Sequence, residues 1–181
     1  MNLNFPGHSA PGAGFEVPLE MLAACHQRVQ SQTATLLRLV PHIVAQGSDG
    51  EAQQAASAVI RYFDSAGRHH HEDEELDLFP ALLDATAGTD NAGLRALIAA
   101  LCADHRALEA RWHALRRQLQ RVAEGLPATI EAPEAQAFAE AYDRHIAREE
   151  ADLLPVAARL LDINELDRIG RAMRLRRGVA Q

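Results

Sequence analysis

Two distant stretches of this chain carry one pattern. His70 to Pro80 reads HHEDEELDLFP, and His145 to Pro155 reads HIAREEADLLP. Aligned without gaps they share six of eleven positions: the leading His, two adjacent Glu, an Asp, a Leu and the closing Pro. Each stretch sets a His four residues before a Glu, His70 with Glu74 and His145 with Glu149. On an α-helix four residues amount to a turn of about 40°, so both side chains leave one face, one turn apart. A strand would send the same pair to one face much farther apart. The duplication therefore demands helices, and it predicts two half-sites that meet between them.

The rest of the chain fits that demand. Leu19, Leu22, His26, Val29, Thr33, Leu36 and Val40 recur at steps of three and four after Pro18, which suits a first helical position. A second helix is expected from about Glu51 into the 80s, with Val59, Phe63, His70, Glu74 and Leu78 inward, loosened at Gly67 and kinked or ended at Pro80. Leu94, Ile98, Leu101, His105, Leu108, Trp112, Leu115, Leu119 and Val122 mark a third, closed by Gly125 and Pro127. Phe138, Tyr142, His145, Glu149 and Val156 mark a fourth. Setting His26 on His105 brings Leu22 onto Leu101, Val29 onto Leu108 and Leu36 onto Leu115. The repeat thus covers two helix pairs. The predicted fold is all-α: an up-down four-helix bundle with a pseudo-two-fold internal repeat, plus a short C-terminal helix. The expected divisions are an extended Gly/Pro-rich lead-in over 1–17, the bundle over 18–162 and a basic tail helix over 163–181.

Composition narrows the function. The net charge is −7, so nucleic acid is not an expected partner. No apolar run approaches membrane-spanning length, and the start of the chain lacks a basic region followed by an apolar one. A cytoplasmic monomer or homodimer is expected. Cys25 and Cys102 lie in apolar helical patterns and read as small core residues, not as a disulfide.

His26 and His105 stand where the stripe calls for leucine. A buried imidazole costs a few kcal/mol unless it is paired. One such residue is ordinary; two at equivalent places in a repeat, facing two His-x-x-x-Glu pairs, are a ligand set. The candidate metal ligands are His26, His70, Glu74, His105, His145 and Glu149. Four imidazoles and two carboxylates form a borderline N/O site that suits iron, with manganese or zinc as substitutes. Two carboxylates can bridge two ions. Ferritin-type centres use Glu-x-x-His, which this sequence does not contain. Glu109 and His71 are further candidates. Glu109 lies one turn after His105, and His71 lies about 100° from His70 around the helix, beside the centre or at the surface. His69, Glu72, Asp73 and Glu75 read as a mainly solvated acidic face, from which one carboxylate can orient a ligand His. The tail arginines read as a solvated face as well.

In CHQRV around His26, HHHEDEELDLFP, ADHRALE around His105 and HIAREEADLLP, the chain resembles the hemerythrin-like (HHE cation-binding) domains over about residues 18–160. The resemblance implies a non-haem centre of two iron ions inside a four-helix bundle, with the family's ligand positions on the six residues named above. It also implies a small partner: oxygen, nitric oxide or peroxide. Oxygen carriers of the family have a second His one turn after the third-helix ligand, where this chain has Glu109. Their last carboxylate is an Asp five residues after its His, where this chain has Glu149, four after. The resemblance therefore implies a missing fifth imidazole. The set of four His and two Glu looks more like di-iron proteins that repair iron–sulfur clusters. A peroxidase-like enzyme and a metal or redox sensor without catalysis remain open beside a small-ligand binder.

Overall fold

The computed structural model describes residues 14–179, so most of the expected lead-in, residues 1–13, lies outside the described residues. Among the described residues there are five helices and no strand. They are α1 (Pro18–Gln46), α2 (50–85), α3 (Ala92–Ala123), α4 (132–160) and α5 (Ile163–Arg176). Local chemistry sets their ends. Asp49 caps α2 by accepting from the backbone N–H of Ala52, and Asp162 caps α5 by accepting from those of Asn164 and Glu165. Gly47 and Gly125, which follow α1 and α3, take positive φ of 71°, a conformation that costs glycine little.

Helix α1 packs against α2 and α4, and α3 packs against the same two. The apolar faces meet in two clusters. One gathers Val29, Leu36, Phe63, Leu115, Phe138 and Tyr142; the other gathers Leu22, Leu78, Leu101, Leu153 and Met173. Between the two, along the same helix faces, come His26, His70, Glu74, His105, His145 and Glu149, all buried. The polar layer is thus closed by hydrocarbon above and below. Cys25 is buried and Cys102 partly buried, and neither is in a disulfide.

Pro80 does not end α2. The helix runs on to Ala85, and α4 likewise runs past Pro155 to Leu160. A proline removes one N–H and presses on the carbonyl four residues earlier. Both helices answer by widening: a π-helical turn spans Glu74–Leu78 in α2 and Glu149–Leu153 in α4. Each wide turn begins at the Glu of the repeated motif, so the motif's Pro shapes the backbone that carries the carboxylate. Such single π turns are frequent at functional sites. A third occupies Phe63–Gly67, where the sequence predicts loosening; a Cβ on Gly67 would lie 3.2 Å from the Phe63 ring.

The fifth helix is not a free tail. It lies across α1 and the far half of α2. Gly170 makes this possible on one side, since a Cβ there would overlap the backbone carbonyl of Phe15. No helix among the described residues is long and apolar enough to cross a membrane.

Candidate metal centre

The six sequence-predicted ligands converge in the middle of the molecule. His26 Nε2 stands 3.1 Å from Glu149 Oε2, and His145 Nε2 stands 3.0 Å from Glu149 Oε1. His105 Nε2 lies 3.3 Å from Glu74 Oε2, and His70 Nε2 lies 3.8 Å from Glu74 Oε1. His105 Nε2 and His145 Nε2 face one another at 3.1 Å. Despite these distances, both oxygens of Glu74, both of Glu149 and His26 Nε2 have no hydrogen-bond partner. Fully buried polar atoms left unpaired cost about 1–3 kcal/mol each, more for charged ones. Lone pairs aimed at shared points between the groups, and not at each other's protons, are what a cation would satisfy.

The donors divide into two overlapping groups. His26, His70, Glu74 and Glu149 place one ligand atom each within 4.8 Å of one another, and Glu74, His105, His145 and Glu149 do the same. Both carboxylates belong to both groups, and each of these imidazoles belongs to one. Helices α2 and α4 carry the carboxylates, and all four long helices carry an imidazole. A third group joins His71 with His105 and His145.

Protonation follows from burial. Burial, reinforced by the charge of Glu149, pushes the Glu74 carboxyl up to about 8. Burial holds His70 down to about 3 and His71 well below the usual imidazole range. Burial opposes charge at His105 too, but the attraction of Glu149, Glu74 and Glu75 outweighs it and raises that imidazole to about 10. Burial disfavours ionised Glu149 as well, yet His105, His145 and His26 hold it well below the ordinary carboxylate range. Without a cation the layer therefore keeps few charges: Glu74 and His70 are neutral, while His105 and Glu149 oppose one another.

A second layer orients the imidazoles. Glu75 Oε1 lies 2.7 Å from His105 Nδ1, and Glu150 Oε1 lies 3.1 Å from His26 Nδ1. Each contact favours the proton on Nδ1 and turns the Nε2 lone pair inward. Asp104, itself paired with Arg148, sits 3.6 Å from His145 Nδ1. Glu75 fulfils the expectation that one acid of its stretch orients a ligand His. Glu150 and Asp104 are not in the sequence reading. The signal for Glu150 is there in the repeat: both motifs have paired Glu, where the first faces the centre and the second braces the lone His of a neighbouring helix.

Three expectations are corrected. Asp73 is not on a solvated face; it is fully buried and pairs with Arg176 and with Arg177, whose Nη2 lies 2.6 Å from Asp73 Oδ2. Arg176 also reaches Asp77 Oδ2 at 2.6 Å. Arg176 and Arg177 are correspondingly withdrawn from solvent and clasp the residue just before Glu74, while Arg168 and Arg171 stay on the exposed side of the helix. Of its two expected places His71 takes the one beside the centre, where its Nε2 is buried and unpartnered. Glu109, by contrast, points away: its side chain is 67% exposed and stands 3.7 Å from His113. Replacing both Arg176 and Arg177 by Ala leaves Asp73 an uncompensated buried charge. The expected cost is about 3 kcal/mol, which for a chain of this size is a melting temperature lower by about 6–12 °C. Single replacements cost less, since the other arginine still faces Asp73. A double variant that melts with the parent would show that the clasp carries no stability.

A bundle of long helices with a buried layer of His and Glu able to hold cations defines a helical metal-binding protein. The chain belongs to the hemerythrin HHE cation binding domain family, whose model matches residues 17–157. It is similar to a protein of Haemophilus influenzae described only as an "uncharacterized protein", with 31% identity over 169 residues, covering 93% of this chain and 95% of that one.

Proposed function

We propose that the chain is a non-haem di-iron protein, an up-down four-helix bundle whose paired ions bind or react with a small ligand such as oxygen, nitric oxide or peroxide. The observation that carries this reading is the pair of donor groups sharing Glu74 and Glu149. His26 and His70 would hold one ion and His105 and His145 the other, with Glu74 and Glu149 available to both. Iron bound there would supply redox electrons and an open coordination position. Manganese or zinc fits the same donors.

The protein's own residues do the rest. The hydrocarbon clusters on either side keep bulk water from the layer. Glu75 and Glu150 fix the tautomers of His105 and His26. A groove of about 660 Å³ between α2 and α3 leads inward past Arg68, Glu109 and Trp112 to His71, His105 and Tyr142. It is far roomier than a diatomic molecule requires, a single water occupying about 30 Å³. Glu109 stands in this groove, where it meets an incoming ligand before the centre does.

Anaerobic reconstitution with ferrous iron tests the reading. Uptake of two ions per chain is expected, followed by distinct absorption changes with oxygen, nitric oxide and peroxide in turn. A reversible oxygen spectrum marks a binder, and peroxide consumed over many cycles marks an enzyme. Saturation at one ion, or no spectral response to any of the three, would overturn the proposal.

A further inference from the structure

We infer that His71 supplies a fifth imidazole to the ion held by His105 and His145, an inference that rests on the two-ion reading above. The first ground is an unpaired atom. His71 Nε2 is shielded from solvent and has no hydrogen-bond partner, although the residue lines the groove. The second is position: a nitrogen of His71 lies within 4.8 Å of ligand nitrogens from both His105 and His145. The rings of His71 and His105 are stacked at 4.0 Å between centroids and 13° from parallel. An imidazole lone pair lies in its ring plane, so coordination of the ion that His105 holds requires the His71 ring to tilt out of this stack.

The helix explains why neighbouring residues serve different ions. Consecutive side chains on α2 diverge by about 100°. Helix α2 packs between α1 and α3, so His70 turns toward His26 on α1, with ring centroids 5.0 Å apart, while His71 turns toward His105 on α3. The equivalent of His71 in the second repeat is Ile146, a buried apolar residue. The symmetry of the donor set is therefore broken at this place. One ion takes three imidazoles and the other two. The third imidazole stands between its ion and the groove that His71 lines.

The test uses the full-length protein loaded with ferrous iron. X-ray absorption on the parent should count five imidazoles per pair of ions. His71→Phe keeps a ring against His105 but offers no nitrogen. It should take up its first ion as the parent does and bind the second on the order of tenfold to a hundredfold more weakly, at least the loss seen when an outer partner of a metal ligand is removed. The count should fall to four. His71→Ala should show the same defect, and free imidazole should reverse it by occupying the vacated space. A parent count of four, or a His71→Phe protein that holds both ions as tightly as the parent, would overturn the inference and leave the two-ion centre standing. A parent that binds fewer than two ions would overturn the two-ion reading, and this one with it. The count on the parent decides the matter even if a variant does not fold.

Discussion

Removing the metal ions is expected to lower the melting temperature by about 10 °C. The reason lies in what the metal-free layer must tolerate. Glu74, Glu149, His26 and His70 are buried to 1% exposure or less. Burial holds His70 neutral and Glu74 protonated well into the neutral range, while His105 and Glu149 keep opposite charges. The unfolded chain frees all of these groups into water. An ion bound only by the folded state adds about 4 kcal/mol when its concentration is a thousandfold above its dissociation constant. For a chain of this length each kcal/mol shifts the midpoint by about 2–4 °C. Calorimetry on chelator-stripped and reloaded protein measures the difference. Identical melting curves would show that the cluster holds nothing it needs.

What could be read from the residues, and what could not, divides along physical lines. The lone His26 and His105 were legible because a stripe of leucines makes an imidazole conspicuous, and because the repeat shows it twice. The lengths of the helices were less so. Pro80 and Pro155 are helix breakers by local rule, but one widened turn before each absorbs the lost hydrogen bond. Asp73 escapes a helical wheel for four helices, which has no place for a fifth. Only the docking of α5 turns that outward face into an interior one. The place of His71 stays open in the sequence for a related reason: its angle from His70 can be set against more than one inward direction, since α2 has one toward each of two neighbours. Glu109 satisfies the one-turn rule on α3 and still faces solvent, since the rule fixes where a side chain starts and not where a long one ends. Local periodicity thus picked out the residues that the fold brings together. Assigning them to partners needed the packing.

That division bears directly on the carboxylates, whose loss should be the most damaging of any single change at the centre. Glu149→Ala is expected to abolish tight binding of both ions, and Glu74→Ala to do the same, while His26→Ala weakens mainly the ion shared with His70. Glu149 touches both sides: Oε2 is 3.1 Å from His26 Nε2 and Oε1 is 3.0 Å from His145 Nε2. Removing it takes one ligand from each donor group and leaves four imidazoles around a space with half the negative charge. Two divalent ions then repel one another across that space with less to screen them, in surroundings where burial strengthens every charge. An imidazole belongs to one group only, so its loss leaves the other group complete. Iron and zinc titrations of the three variants, followed by elemental analysis after dialysis, separate the cases. The expected pattern is near-complete loss of both ions for each Glu variant and retention of one for His26→Ala. Glutamine at position 149 should not rescue, because an amide of the same shape brings no charge to the bridge. If Glu149→Ala retained one tightly bound ion, the carboxylate would belong to a single ion, and the two donor groups would be independent sites rather than one paired centre.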